Sequence, residues 1–547
     1  MVLRIRSGAW VGFWFVLRLS GGQVAANEPA GAEVPTSAPA SAAIATMPQG
    51  PQGADTDALP AGIGAGLKTV RGEVAIRGEA VGYVAVAGHL PLLKADGKPR
   101  AQVFFVSYLR EGVEDRAKRP VLFSFNGGPG SSSVWLHLGT LGPRRVQLTE
   151  NGSAPAAPYL LADNADSVLD AADLVFIDPV STGYSQAEPG EDAKQFHGVD
   201  EDLDSVSDFI RLWLTRFERW PSPKYLIGES YGGIRAAGLC GRLQQRHGIY
   251  VSGAILLSPV IDFQTISGGG VNDLPYVCFL PALTATAAWH GRLEGVETAD
   301  QALVRVREAE AFALGEYATA LLAGSRLGQE RRLAVAGELA RLTGLSREFV
   351  LANHLRVDTS AFRKELLRSA GLNVGRFDSR LVGAEAMEAG QFPDFDPSYT
   401  AVQSVFTATI NDYLRRELGV LTDAPYAVLS SAVQPWSYAR FSNRYLGFGT
   451  VVRDALAQNE HLRVLVVSGY HDLATPYFAA AHSLAQLDLS GRHAARVSQV
   501  TYRGGHMMYT LGDVRAALGR DLSAWLRGEA IAEPVGAAGR VTGADGE

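Results

Sequence analysis

Five short runs in this chain are apolar at nearly every position: VLFSFN (121–126), DLVFID (173–178), KYLIGE (224–229), GAILLS (253–258) and RVLVVSG (463–469). A strand with one wet face alternates apolar and polar residues, so a continuous apolar run predicts a parallel strand buried on both faces. The stretch GEVAIRGEAVGYVAVAG (72–88) and the run QVFFVSYL (102–109) do alternate, which predicts antiparallel strands towards a sheet edge. Between the apolar runs, residues 200–219 place Leu203, Val206, Phe209, Ile210, Trp213, Leu214 and Phe217 at helical spacing. Strand, helix and strand in alternation predict an α/β domain built on a mostly parallel sheet.

From about 264 to 430 this rhythm stops. No strand pattern remains, and residues 299–324 and 330–345 read as amphipathic helices. The expected organisation is a sheet domain in two parts, 63–263 and 431–528, with a helical cap at 264–430 inserted between them. Such a cap covers a pocket and controls entry to it. At the start of the chain, Arg4 and Arg6 precede the apolar run AWVGFWFVL and then Val24-Ala25-Ala26, the pattern of a secretory signal peptide over 1–26. That run is too short to span a bilayer, although an uncleaved anchor is an alternative. Residues 27–62, rich in Ala, Pro, Gly, Ser and Thr, predict a flexible linker, and 529–547 a disordered tail. From these features the protein is expected in the periplasm or outside the cell.

Composition narrows the field. With 547 residues, 47% hydrophobic and 20% charged, the chain is that of an ordinary globular protein. A net charge of −7 and scattered arginines offer no basic stripe for nucleic acid. Two cysteines, Cys240 and Cys278, do not make a disulfide framework. An exported chain could pair them, but Cys240 falls where a helix should follow the run 224–229, which favours a buried thiol.

Chemistry enters with GESYGG (228–233), immediately after KYLI. Gly-x-Ser-x-Gly between a strand and a helix is a nucleophile elbow, a sharp turn that lifts a serine hydroxyl above the sheet. With 60 glycines the pattern is expected by chance on the order of 0.4 times, so its context must decide. A serine needs a base to take its proton, and the base needs an acid to orient it. Asp472 lies in the loop after one apolar run, in SGYHDLATP, and His506 in the glycine-rich TYRGGHMMY. Ser230, Asp472 and His506 occur in the chain order that α/β hydrolases use. The run FNGGPGSSS (125–133) sits where an oxyanion loop belongs. It would supply the N–H of Gly128, with that of Tyr231 after the nucleophile. It lacks the Gly-Lys-Ser/Thr ending of a phosphate-binding loop.

Taken together, NGGPGSSS, LGPRRV (141–146), FIDPVSTGYS (176–185), GESYGG, SGYHDLATP and GGHM resemble, in order and spacing, the serine carboxypeptidases and their acyltransferase relatives. The resemblance covers roughly residues 100–260 and 460–527. It implies an α/β-hydrolase fold with a helical insertion, no metal and no cofactor, and removal of C-terminal residues from peptides through an acyl-enzyme. It also implies that Asn126 and Glu229 bind the substrate's terminal carboxylate. The family's third carboxylate-binding residue, a glutamate, is replaced here by Thr140, and a family half-cystine by Ser131. A carboxyl pair binds an anion only while protonated, whereas a hydroxyl donates at any ordinary pH. Thr140 is therefore expected to bind substrate and to allow work nearer neutral pH than in acid-adapted relatives. Arg144 or Arg145 could add positive charge, or could be solvated surface residues. His137, Trp135, Tyr184 and Tyr231 read equally as pocket or core. Expected partners are peptides, with no nucleic acid or metal, and a homodimer remains open. The missing glutamate leaves an esterase or acyltransferase on the same triad as the alternative. A catalytically inactive binding protein is a further one.

Overall fold

The computed structural model describes residues 66–489 and 491–531. The expected signal peptide and linker, and all but the first residues of the expected tail, lie outside them. The central sheet has ten strands. Its main members are β1 (Lys68–Ile76), β2 (Glu79–Leu93), β3 (Pro99–Arg110), β4 (Val121–Phe125), β5 (Asp173–Ile177), β6 (Lys224–Glu229), β7 (Gly253–Leu257), β8 (Arg463–Gly469) and β9 (Val497–Tyr502). Their spatial order is β1-β2-β3-β5-β4-β6-β7-β8-β9, and the short Gln186–Ala187 strand pairs with β3. The first three strands form an antiparallel meander, and β3 meets β5 antiparallel. From β5 onward every pairing is parallel.

The continuous apolar runs occupy the parallel region because both faces there are covered. Along β3 and β4, Phe105 and Phe123 join one core cluster, while their neighbours Phe104 and Leu122 join the cluster on the opposite face. On the first face lie α1 (Val199–Arg216), which buries Phe209, Ile210, Trp213 and Leu214, and α2 (Tyr231–His247). Asp200, Glu201 and Asp202 in the first turn of α1 suit the positive end of its dipole. Gly248, in the left-handed conformation, ends α2.

The inserted region contains α3 (Leu274–Trp289), α4 (Ala299–Phe312), α5 (Gln329–Thr343) and α6 (Pro397–Asp412). It has its own apolar cluster, including Leu280, Leu283, Val335, Leu339 and Phe362. One difference from expectation is that strands do not vanish here. Leu372–Val374 and Val382–Ala384 pair antiparallel around a turn at 375–381. Three residues are too few for a period of two to stand out in sequence. The insertion returns to the sheet domain through bridges from Ala427 to Gly183 and from Leu429 to Ser131. Cys240 and Cys278, on α2 and α3, are both free and buried.

Candidate active site

The turn from β6 into α2 carries Ser230 at φ 62° and ψ −125°. A non-glycine residue there is strained by about 1–3 kcal/mol and persists only where its surroundings dictate it. Two backbone bonds do so: Ser230 N–H donates to the Leu257 carbonyl (3.0 Å), and Gly233 N–H donates to the Ser230 carbonyl (2.9 Å). The flanking glycines are required by close approach. A Cβ on Gly228 would sit 1.9 Å from the Gly232 carbonyl oxygen, and one on Gly232 would sit 2.9 Å from that of Phe125.

Asp472 lies beyond the end of β8 and His506 beyond β9, neighbouring strands of the sheet. His506 Nδ1 is 2.7 Å from Asp472 Oδ2. Asp472 is fully buried. Its Oδ1 accepts from the N–H groups of Ala474 (2.7 Å) and Thr475 (2.9 Å), and Oδ2 also accepts from Thr475 Oγ1 (2.9 Å). Four bonds fix this carboxylate and, through it, the tautomer of the imidazole. The His506 backbone is held on both sides. Its N–H donates to the Phe377 carbonyl of the cap (2.5 Å), and its carbonyl accepts from Ser258 Oγ (2.7 Å). Ser258 is next in chain to Leu257, which anchors Ser230, so residues 230 and 506 hang from adjacent residues at the end of β7. With Nδ1 committed to Asp472, Nε2 is the nitrogen left for the serine. Burial lowers the imidazole's pKa, but the charge of Asp472, its hydrogen bond and Glu229 outweigh burial, and the net shift is upward from 6.5.

The expected oxyanion loop lies directly against the elbow. A Cβ on Gly127 would meet Tyr231 N at 2.5 Å and Gly232 N at 2.8 Å. Gly128 (φ +104°) turns so tightly that a Cβ would be 2.7 Å from Gly130 N. The two expected donors, Gly128 and Tyr231, thus sit on touching segments. Arg235 of α2 locks the loop from below: Nη1 donates to the Asn126 carbonyl (2.5 Å), while Nε and Nη2 grip Asp202 of α1 (2.7 and 3.1 Å). At the far end, Asp178 of the FIDPVSTGYS stretch accepts from the N–H and hydroxyl of Ser133 (2.8 and 2.9 Å). Two of the recognised motifs are therefore one hydrogen-bonded unit.

Beside the elbow, Glu229 is completely enclosed. Its Oε2 accepts from Asn126 Nδ2 and from the hydroxyl of Tyr509 (3.2 Å), whereas Oε1 is buried with no partner. Burial pushes this carboxyl up to about 7, against the pull of His506 and of its two hydrogen bonds. Asn126 and Glu229, both expected at the substrate's end, are therefore in direct contact. Thr140 does not join them by a hydrogen bond. It sits in the π-helical turn His137–Leu141, its hydroxyl buried without a partner and its carbonyl accepting from Asn164 (2.6 Å).

Other residues weighed from sequence fall outside this cluster. Arg144 pairs with Asp163 and Glu417 (the latter 3.1 Å), and Arg145 donates to the Val146 carbonyl (3.3 Å). His137 is a core residue, bonded to Tyr108 and stacked on Phe176 at 4.2 Å, and burial pushes it down to about 3. The Tyr231 side chain packs in the core against Trp436, and Trp135 donates to Ser131 Oγ (3.0 Å). His471 packs against Trp289. Sequence reasoning missed Tyr509, Thr475 and Ser258. Each is in or beside a quoted motif, but nothing in the motif distinguishes a site hydroxyl from a core one.

The strand order and the strand-to-helix elbow at Ser230 are those of the α/β-hydrolase fold. Residues 78–271 match the family model described as serine carboxypeptidase. A serine carboxypeptidase-like protein of Arabidopsis thaliana is 33% identical over 150 residues, which are 27% of this chain and 28% of that one. The pheromone-processing carboxypeptidase KEX1 of Saccharomyces cerevisiae is 32% identical over 158 residues, 27% of this chain and 20% of that one. The chain thus matches about a quarter of the length of these curated relatives. The crystal structure of a prohormone-processing carboxypeptidase KEX1 from the same yeast superposes with a TM-score of 0.50 at 17% identity, covering 82% of this chain and 91% of the other, and shows the shared fold.

Proposed function

We propose that this protein is an exported serine carboxypeptidase that releases C-terminal residues from peptides through an acyl-enzyme. The observation that carries the reading is the enclosed Asn126–Glu229 pair, of which Glu229 is next in chain to Ser230. A carboxyl raised by burial to about 7, with one oxygen unpartnered, suits a terminal carboxylate while it keeps its proton and would repel it once ionised.

In this reading His506 Nε2 takes the Ser230 proton as Oγ attacks the last peptide carbonyl. The N–H groups of Gly128 and Tyr231 receive the developing oxyanion, and one such donor is worth about 100- to 1000-fold in rate. Asp472, with four bonds of its own, holds the imidazolium. His506 then gives its proton to the departing amine, leaving an ester on Ser230 and a free amino acid. Water, deprotonated by the same imidazole, cleaves that ester and restores the hydroxyl. Export rests on the N-terminal pattern of basic residues, short apolar core and small residues.

The test is a blocked dipeptide with a free carboxylate against the same peptide ending in an amide. The free acid should release its last amino acid, the amide should react far more slowly, and Ser230→Ala should abolish both turnover and labelling by a fluorophosphonate. Equal rates on acid and amide would remove the carboxypeptidase reading. The unpartnered hydroxyl of Thr140, in place of a carboxyl, favours a second reading with ester or acyl-transfer substrates. Turnover of esters without peptide cleavage would support it.

A further inference from the structure

We propose that Tyr509 is a positioning residue for substrate selection: its hydroxyl takes the place left by the absent third carboxyl and orients Glu229 towards the substrate's terminal carboxylate. The inference rests on the carboxypeptidase reading above. Three observations carry it. Tyr509 Oη donates to Glu229 Oε2 (3.2 Å), the oxygen that also accepts from Asn126 Nδ2. Two donors on Oε2 and none on Oε1 place the carboxyl's own proton on Oε1, the atom left without a partner inside the protein. The tyrosine ring also fills the space beside Thr140: a Cβ on the adjacent Gly139 would be 2.4 Å from Tyr509 Cε2. Gly139 and the short Thr140 side chain thus go with a bulky ring at 509, and that ring brings a hydroxyl to Glu229 where Thr140 makes no such bond.

The arrangement suits a neutral Glu229. Phenol O–H and amide N–H both donate to the carbonyl-like Oε2, which leaves the carboxyl's proton on Oε1. The groups that face Glu229 are His506 and Asp472 from the triad, Tyr509 from the turn after His506, and Asn126 from the oxyanion loop, behind which Arg235 binds the Asn126 carbonyl. Because the Tyr509 hydrogen bond holds the Glu229 carboxyl down, its removal lets Glu229 keep its proton to higher pH.

Tyr509→Phe keeps the ring and its packing and deletes only the hydroxyl. The KM for a free-acid dipeptide should rise roughly 3- to 10-fold, with kcat changing less, as for loss of one ordinary hydrogen bond. Selectivity for the acid over the matched ester should fall by the same factor. The alkaline limb of the peptide profile should move to higher pH, which a merely structural tyrosine would not cause. On a Glu229→Ala background the same substitution should add nothing, since Tyr509 acts through Glu229. Should Tyr509→Phe not fold, 3-fluorotyrosine at 509 keeps the hydroxyl as a stronger donor and should move the limb to lower pH. A variant matching wild type in KM, selectivity and limb overturns the proposal alone. Wild type that does not distinguish acid from amide overturns the peptidase reading, and this proposal with it.

Discussion

Replacing Glu229 by Gln isolates the proton from the rest of the pocket. The wild-type carboxyl, pushed by burial to about 7, is about nine-tenths protonated one unit below that value and about one-tenth protonated one unit above it. If only the neutral form binds a terminal carboxylate, kcat/KM for free-acid peptides should fall roughly tenfold per pH unit on the alkaline side, or about 1.4 kcal/mol of binding per unit. On the acid side the limit is His506, whose pKa lies above 6.5, so the maximum should lie close to neutrality. In Glu229→Gln, the donors Asn126 and Tyr509 select the amide oxygen for the Oε2 site. The NH2 group then occupies the Oε1 site and donates at every pH. The alkaline limb should disappear. Since ionised Glu229 is one of the groups raising His506, the acid limb should also move slightly lower. The assay is release of free amino acid from a blocked dipeptide between about pH 5 and 9 at constant ionic strength. A variant that keeps the wild-type alkaline fall, or a wild-type optimum well below pH 5, would refute the reasoning.

Two further predictions follow from the supports of the site. Thr475→Val removes the hydroxyl that donates within the Asp472, Ser258 and His506 cluster; kcat on peptide and ester should fall roughly 2- to 12-fold with little change in KM, and an unaltered kcat would show that Asp472 is held without it. Arg235→Met leaves Asp202 buried without its cation, and urea unfolding should show a loss of about 3–5 kcal/mol, partly recovered by adding Asp202→Leu; a loss below about 1 kcal/mol would mean that water reaches the pair.

Sequence pattern reached furthest where physics acts locally. KYLIGE and RVLVVSG are strands at the predicted residues because burial on both faces leaves a continuous apolar run. The elbow was legible because a strained serine between two close-packed segments demands glycine at 228 and 232. The small hairpin at 372–384 was not, since three-residue strands carry no period. Tyr509 was invisible for another reason: an aromatic after His506 satisfies the demand for core volume as well as the demand for a hydroxyl, and only its bond to Glu229 separates the two. Arg144 looked available for substrate because sequence does not reveal that Asp163 and Glu417 already claim it.

The insertion is stitched to the segments around His506 and Ser230 at two seams. Phe377 takes the N–H of His506, and the Ser430 N–H donates to the carbonyl of Gly130 in the glycine-rich loop 125–133 (2.8 Å). The helices before residue 375 share an apolar core with Leu473, whereas α6 packs into the sheet domain's core through Val402, Val405 and Phe406. The former can therefore drift in sequence, while α6 and the stretches around 377 and 427–430 are bound to the sheet domain. Freedom to vary is thereby confined to one part of the insertion, and a transplanted cap would have to carry both hems intact to keep the segments around Ser230 and His506 in place.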